Sequence, residues 1–194
     1  MLQGAEVAAA LREALEPHPS PRPGLHDRLA AVLAPIVLDA GPSLIFTVRA
    51  EGLSRHAGEI SFPGGLQDPG ETLVQTAVRE ADEEIGLTPA SFEVLGSLAP
   101  VHTFVSSILV VPFVAVVPTT PELRPSEAEI EEVLMLPVRR LAEVEAVVQY
   151  ERPGEGAWRG YAYEVDGHTV WGATGWILHT LLDTIRRETP WPLP

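Results

Sequence analysis

The spacing of hydrophobic positions changes several times along the chain, and each change marks an element. Val7, Leu11, Ala14 and Leu15 recur at helical spacing, and the proline-rich EPHPSPRPG (16–24) ends that stripe. The apolar run in LHDRLAAVLAP predicts a second helix closing before Pro35, so residues 1–35 form a helical N-terminal extension. PSLIFTVRA and GEISF predict strands on either side of the turn-rich EGLSRHAG. Residues 71–85 carry a helical period again, and FEVLGSLAPV and SSILVVPFVAVV follow as strands. Pro112 places the second of these at a sheet edge or a bulge, because proline has no N–H to give a ladder. EAEIEEVLMLPVRRLAEV is an acidic approach to a strand and then a short helix, and GYAYEVDGHTVWG is a hairpin turning at Asp166–Gly167. ATGWILHTLLDTIRRE is a final helix with Trp176, Ile177, Leu181, Leu182 and Ile185 inward, and TPWPLP stops it. The Trp and Tyr residues of 158–176 fall to the core. Strands interleaved with helices predict an α/β (α+β) architecture, one domain over 1–194 with helices on a sheet.

Composition narrows the function. Of the 194 residues, 45% are hydrophobic, enough for a packed core. A formal charge of −14 without a basic block argues against nucleic-acid binding. All 13 basic residues are arginine, since the sequence has no lysine. There is no cysteine, which removes disulfides, thiolate–zinc sites and thiol nucleophiles. The first segment has no basic n-region and no apolar run has membrane-spanning length, so a soluble cytoplasmic protein with no membrane partner is expected. The pattern specifies no oligomeric state.

The chemistry gathers in GGLQDPGETLVQTAVREADEEIGL, residues 64–87. On a helix over 71–85, Val74, Ala77, Val78, Ala81 and Ile85 make one apolar stripe. At 100° per residue, Glu83 and Glu84 lie about 60° to one side and about 40° to the other of Glu80. All three carboxylates therefore share an edge beside the buried stripe, where like charges at helical spacing repel by roughly 0.2–0.5 kcal/mol per pair. Gly64–Gly65 allows a close backbone approach, Gly86 ends the helix in the left-handed region, and Arg79 stands among the glutamates. Clustered carboxylate oxygens suit a hard divalent cation, which keeps several waters that a phosphate can replace.

Gly65, Glu71, Arg79, Glu80, Ala81, Glu83, Glu84, Gly86 and Leu87 resemble the Nudix box, Gly-x5-Glu-x7-Arg-Glu-U-x-Glu-Glu-x-Gly-U, with U a bulky aliphatic. Ala81 is smaller than the usual residue, a difference expected to affect packing and not ligation. The resemblance implies a Nudix-type α/β/α sandwich with a central mixed sheet, in which the box is a loop–helix–loop binding Mg²⁺ or Mn²⁺. It implies Glu80 and Glu84 as leading ligands, Glu83 supporting them, the Gly65 carbonyl contributing and Arg79 orienting the carboxylates.

The segment before the box, LIFTVRAEGLSRHAGEISFPGG, resembles the added signature of the coenzyme A pyrophosphatases within that superfamily. Ile45–Phe46–Thr47, Arg49–Ala50, His56–Ala57–Gly58 and Phe62–Pro63–Gly64–Gly65 carry the match. The signature's second arginine aligns with Ser54, and Arg55 follows one place later. VWGATGWIL resembles the family's entry into its last helix. By this resemblance Arg49, Arg55 and His56 bind substrate, a coenzyme A or related nucleoside diphosphate derivative. Metal-dependent hydrolysis would then give 4′-phosphopantetheine and adenosine 3′,5′-bisphosphate. An acidic residue after the central strands activates water or supports a metal in related enzymes, and Glu129 aligns with it, with Glu127 and Glu132 as rivals. His102, His168 and His179 lack ligand spacing and read as surface or packing residues. The competing functions are a Nudix hydrolase for ADP-ribose, dinucleotides or damaged nucleotides, and a noncatalytic binding module of the same fold.

Overall fold

The stretch read as a second helix is the central strand of the protein. The computed structural model describes residues 2–24, 27–39, 41–50, 58–103, 107–152 and 156–194, and in it Arg28–Val37 forms strand β1. It pairs in parallel with β7 (Ile108–Val117) from Arg28↔Ile108 to Val37↔Val117. The correction has a physical cause. A strand covered on both faces needs apolar residues at every position, so its run carries no period-two signal and resembles a buried helix. Ala34 and Ile36 join one core, while Ala31, Leu33 and Val37 join the other.

The first helix, α1, spans Leu2–Ala14 and buries Val7, Ala8 and Leu11, with Leu15 just beyond it, whereas Ala14 is exposed. β2 (Ser43–Arg49), β3 (Ile60–Ser61), β4 (Gly64–Leu66), β5 (Glu93–Ser97), β6 (Val101–Thr103) and β8 (Ile130–Pro137) complete an eight-stranded mixed sheet. Its central order is β3-β2-β1-β7-β5, with β4 on β1, β6 on β7 and β8 on β2. Helix α2 (Leu73–Ile85) covers one face over Ala31, Leu33, Ile45, Val111, Phe113 and Ala115. On the other face lie α1, α3 (Val138–Val144) and α4 (Gly172–Glu188), with a three-stranded sheet of β9 (Glu145–Arg152), β10 (Gly156–Val165) and β11 (His168–Val170).

Pro112 occupies neither an edge nor a bulge. It lies in central β7, where Leu98 N–H donates to its carbonyl. N–H and C=O of one strand residue point the same way, so the missing donor falls between the pairings of β5 and β6. Pro35 in β1 occupies the corresponding gap between the pairings with β4 and β2.

The hairpin at Asp166–Gly167 forms as expected, both residues having positive φ. The aromatic residues near it differ from the reading as core. Tyr163 is fully buried, but Trp171 is 46% exposed and Trp176 41% exposed. Trp176 and Tyr161 pack around His179 instead, with the Tyr161 and His179 rings stacked at 3.5 Å. Glu145 accepts from Tyr163 Oη and Arg186 Nη1 and pairs with His179 Nδ1, pinning α4 to the second sheet. Among the described residues no helix is long and apolar enough to cross a membrane.

Candidate metal centre

The carboxylates are positioned by the two ends of α2. At its start Thr72 and Gln75 form a reciprocal capping box, the Thr72 hydroxyl accepting from Gln75 N–H and Gln75 Oε1 accepting from Thr72 N–H. At its end Gly86 takes φ 67° and its N–H donates to the Asp82 carbonyl, while Leu87 N–H donates to that of Ala81. The last carbonyls, of Glu84 and Ile85, accept from the N–H groups of Ser126 and Arg124. The loop before β8 is thereby tied to the helix end, which is how the acidic SEAEIEEV segment reaches the box.

Ala77, Ala81 and Ile85 are fully buried, while Val74 and Val78 are half-buried. Glu84 is swept inward with the stripe, its side chain 5% exposed, and Glu80 is 16% exposed. Ala81 packs with Ala31 and Leu33 of β1 in the same core, where its small size brings the helix close to the sheet.

Gly64–Gly65 forms the opposite wall. Gly64 N–H donates to Glu84 Oε2 at 3.0 Å. A Cβ on Gly65 would lie 2.5 Å from the Glu80 carboxyl carbon, and one on Gly64 would lie 2.4 Å from the Ala31 carbonyl oxygen. Gly64 therefore requires glycine, pressed against the β1 backbone, while a side chain at Gly65 would push the Glu80 carboxylate out of place.

Arg79 binds the cluster from outside. Its Nε donates to Glu71 Oε1 at 2.7 Å, and Nη1 donates to Glu80 Oε1 at 2.8 Å and Glu83 Oε2 at 2.9 Å. Glu71 is consequently held down at about 2, chiefly by the Arg79 hydrogen bond. Glu83, 61% exposed, is turned toward this arginine at the rim. Glu80 behaves differently from Glu71: burial raises it despite Arg79. Glu84 is pushed up to about 7 by burial, with the Gly64 N–H opposing and the charges of Glu80 and Glu129 adding to the rise.

Three sequence-derived residues thus bear on one place, Glu80, Glu84 and Glu129, the last through its charge on both others. Arg49 reaches it too, Nη1 standing 4.0 Å from Glu84 Oε1. Ser54, Arg55 and His56 lie outside the described residues. His102 pairs with Asp27, His168 is half-buried in β11 and His179 stacks on Tyr161.

Among the described residues no three His, Asp or Glu side chains close into a preformed cage. The donor set still fits Mg²⁺ or Mn²⁺, which take one or two carboxylates and fill the remaining positions with water or phosphate. A buried and a half-buried carboxylate that repel each other are costly alone and favourable around a dication. A concavity of about 540 Å³ on the outer flank of α2 includes Glu71 and Arg79 but neither Glu80 nor Glu84, so it borders this site and does not contain it.

Comparison with known proteins agrees with this fold. The NUDIX domain matches residues 27–156. The protein named "Uncharacterized Nudix hydrolase NudL" from Photorhabdus laumondii is 34% identical over 173 residues, 88% of this chain and 91% of that protein. Its namesake from Pectobacterium atrosepticum is 37% identical over 169 residues, 84% of this chain and 85% of that one. A solved MutT/nudix family protein from Enterococcus faecalis is similar in fold, with a TM-score of 0.57 at 14% identity over 87% of this chain and 64% of that one.

The raised Glu84 makes stability fall with pH when no metal is present. The folded chain holds a proton to about 7 that the unfolded chain releases near 4.5, so ionisation costs folding across that window and the cost is complete above it. Glu71 works in the opposite sense, but its contribution is lost only as pH drops from 4.5 toward about 2. In a chelator, Glu84→Gln should be more stable than wild type at about pH 8, by on the order of 1–3 kcal/mol, and the gap should close near about pH 4. Urea denaturation across that range measures it.

Proposed function

The chain belongs to the Nudix family, and on that premise we propose that this hydrolase cleaves the diphosphate of coenzyme A or its derivatives with Mg²⁺ or Mn²⁺ bound at Glu80 and Glu84. The observation that carries the hydrolytic reading is the buried Glu84 and half-buried Glu80, both raised, against Gly64–Gly65. A noncatalytic module of this fold would have no use for such a costly pair. The coenzyme A reading rests on the segment resembling that family's signature, which brings Arg49 to 4.0 Å from Glu84.

A dication bound there would supply charge neutralisation at the diphosphate and lower the pKa of a water. Glu80 and Glu84 hold it, and Arg79 keeps Glu80 aimed through its 2.8 Å hydrogen bond. Glu83 steadies Arg79 from the rim and supports the ligands in that way. The Gly65 carbonyl lies on the wall beside Glu80 and is an available further oxygen. Glu129, exposed beside the pair, takes the proton of the attacking water. The water oxygen bonds to phosphorus, the bridging P–O bond breaks, and the departing phosphate carries the electron pair. Coenzyme A would yield 4′-phosphopantetheine and adenosine 3′,5′-bisphosphate. Arg49, with Arg55 and His56, holds the anionic substrate, since a guanidinium can bond a phosphate bidentately.

Glu80→Gln and Glu84→Gln should each keep the fold and lose turnover by at least roughly 10²–10³-fold, as when one electrostatic stabiliser is removed. Glu129→Gln should lower kcat more than it raises KM, and Glu127→Gln should do little. Steady-state kinetics with circular dichroism of each variant checks both.

The substrate is tested by product analysis across coenzyme A, ADP-ribose and NADH. Coenzyme A should be cleaved fastest, giving 4′-phosphopantetheine and adenosine 3′,5′-bisphosphate. Faster cleavage of ADP-ribose would reject the coenzyme A assignment and leave the family in place.

A further inference from the structure

Arg49 is held rigidly beside Glu84 with its hydrogen bonds unspent. Its backbone is tied twice to the segment before β3, N–H donating to the Glu59 carbonyl and C=O accepting from Gly58 N–H. Opposite it β8 bulges: Val48 faces Glu132, but Arg49 faces Ile130, so Glu131 is the extra residue. A bulge re-aims the side chains around it. Here Arg49 lies on the same face of β2 as Ile45, the face that α2 covers.

The guanidinium gains little from that placement. Nη1 stands 4.0 Å from Glu84 Oε1, well beyond the 2.7–2.9 Å of a charge-assisted hydrogen bond. Nε is buried and has no hydrogen-bond partner. A buried donor without an acceptor is costly and calls for an explanation. Arg79 supplies the contrast on the same helix edge, where every nitrogen of its guanidinium meets an oxygen.

We propose that Arg49 couples the cation to the anion: it opposes metal entry at Glu84 while the substrate position is empty, and reverses to favour it when a phosphoryl group is present. The proposal rests on Glu84 being a metal ligand, as argued above. A positive charge this close to Glu84 shares its field with any dication bound there, and like charges repel strongly at such distances. A phosphoryl oxygen placed between them pairs with both and accepts the guanidinium's free N–H groups. Linkage then makes the effect reciprocal, each ligand raising the affinity of the other. The enzyme would thereby hold metal weakly when idle and firmly during turnover.

The test measures Mn²⁺ binding, by the electron paramagnetic resonance of free Mn²⁺, with and without inorganic phosphate as the phosphoryl probe. Wild type should bind Mn²⁺ tighter with phosphate, by a factor within the roughly 5–150-fold range usual for coupled sites. Arg49→Met, which keeps length and removes charge, should bind Mn²⁺ alone on the order of 10-fold tighter than wild type and lose the phosphate effect. Arg49→Lys keeps the charge without the fork, so its affinity for Mn²⁺ alone should stay near wild type while the phosphate effect shrinks. Unchanged Mn²⁺ affinity in Arg49→Met, or a full phosphate effect in that variant, overturns the proposal. Equal Mn²⁺ binding by wild type and Glu84→Gln overturns the metal-site reading and this proposal together. Poor coenzyme A turnover alone bears only on the substrate.

Discussion

The burial of the Glu84 carboxylate is the constraint on which the site depends. It is carried in with the apolar stripe of α2 and receives one backbone N–H, from Gly64, with a guanidinium only at 4.0 Å. A charge so placed is poorly compensated, and its rise to about 7 expresses the cost. Much of the neighbourhood is built to hold that costly arrangement. The capping box and Gly86 fix the ends of the helix, β1 lies close beneath it, and Gly64–Gly65 leave no room for another side chain. A dication bound there would offset that cost.

The box helix was legible because its signals are local. Thr72–Gln75 caps it, Gly86 ends it, and the acidic edge follows from angular spacing alone. The hairpin at Asp166–Gly167 was legible for the same reason. β1 was not, because the periodic signal disappears when both faces of a strand are buried, and Ala-rich runs favour a helical reading. Strand β9 escaped notice since it follows α3 without a turn signal, Glu145 serving both as cap and first strand residue. Trp171 and Trp176 are large and apolar, yet the second sheet and α4 leave both substantially exposed.

For the site, spacing placed Glu80 and Glu84 together but could not rank the three glutamates by burial. The structure separates them: Glu84 is inside, Glu80 is beside it, and Glu83 is at the rim on Arg79. Glu129 joins them through the ties from Ser126 and Arg124 to the end of α2, long-range contacts without a motif of their own. Arg49 was legible as a candidate by resemblance. Its unspent donors and the bulge opposite it are properties of strand pairing, and pairing cannot be read from one strand.

The central claim is that Glu80 and Glu84 converge on a divalent cation against the Gly64–Gly65 backbone. Anomalous diffraction from crystals soaked in Mn²⁺ tests it directly. The account predicts a peak within about 2.0–2.3 Å of carboxylate oxygens of both glutamates, the distance range of hard divalent cations. A peak held by Glu71, Glu83 or Asp68 at the rim, with none at Glu80 and Glu84, would contradict it.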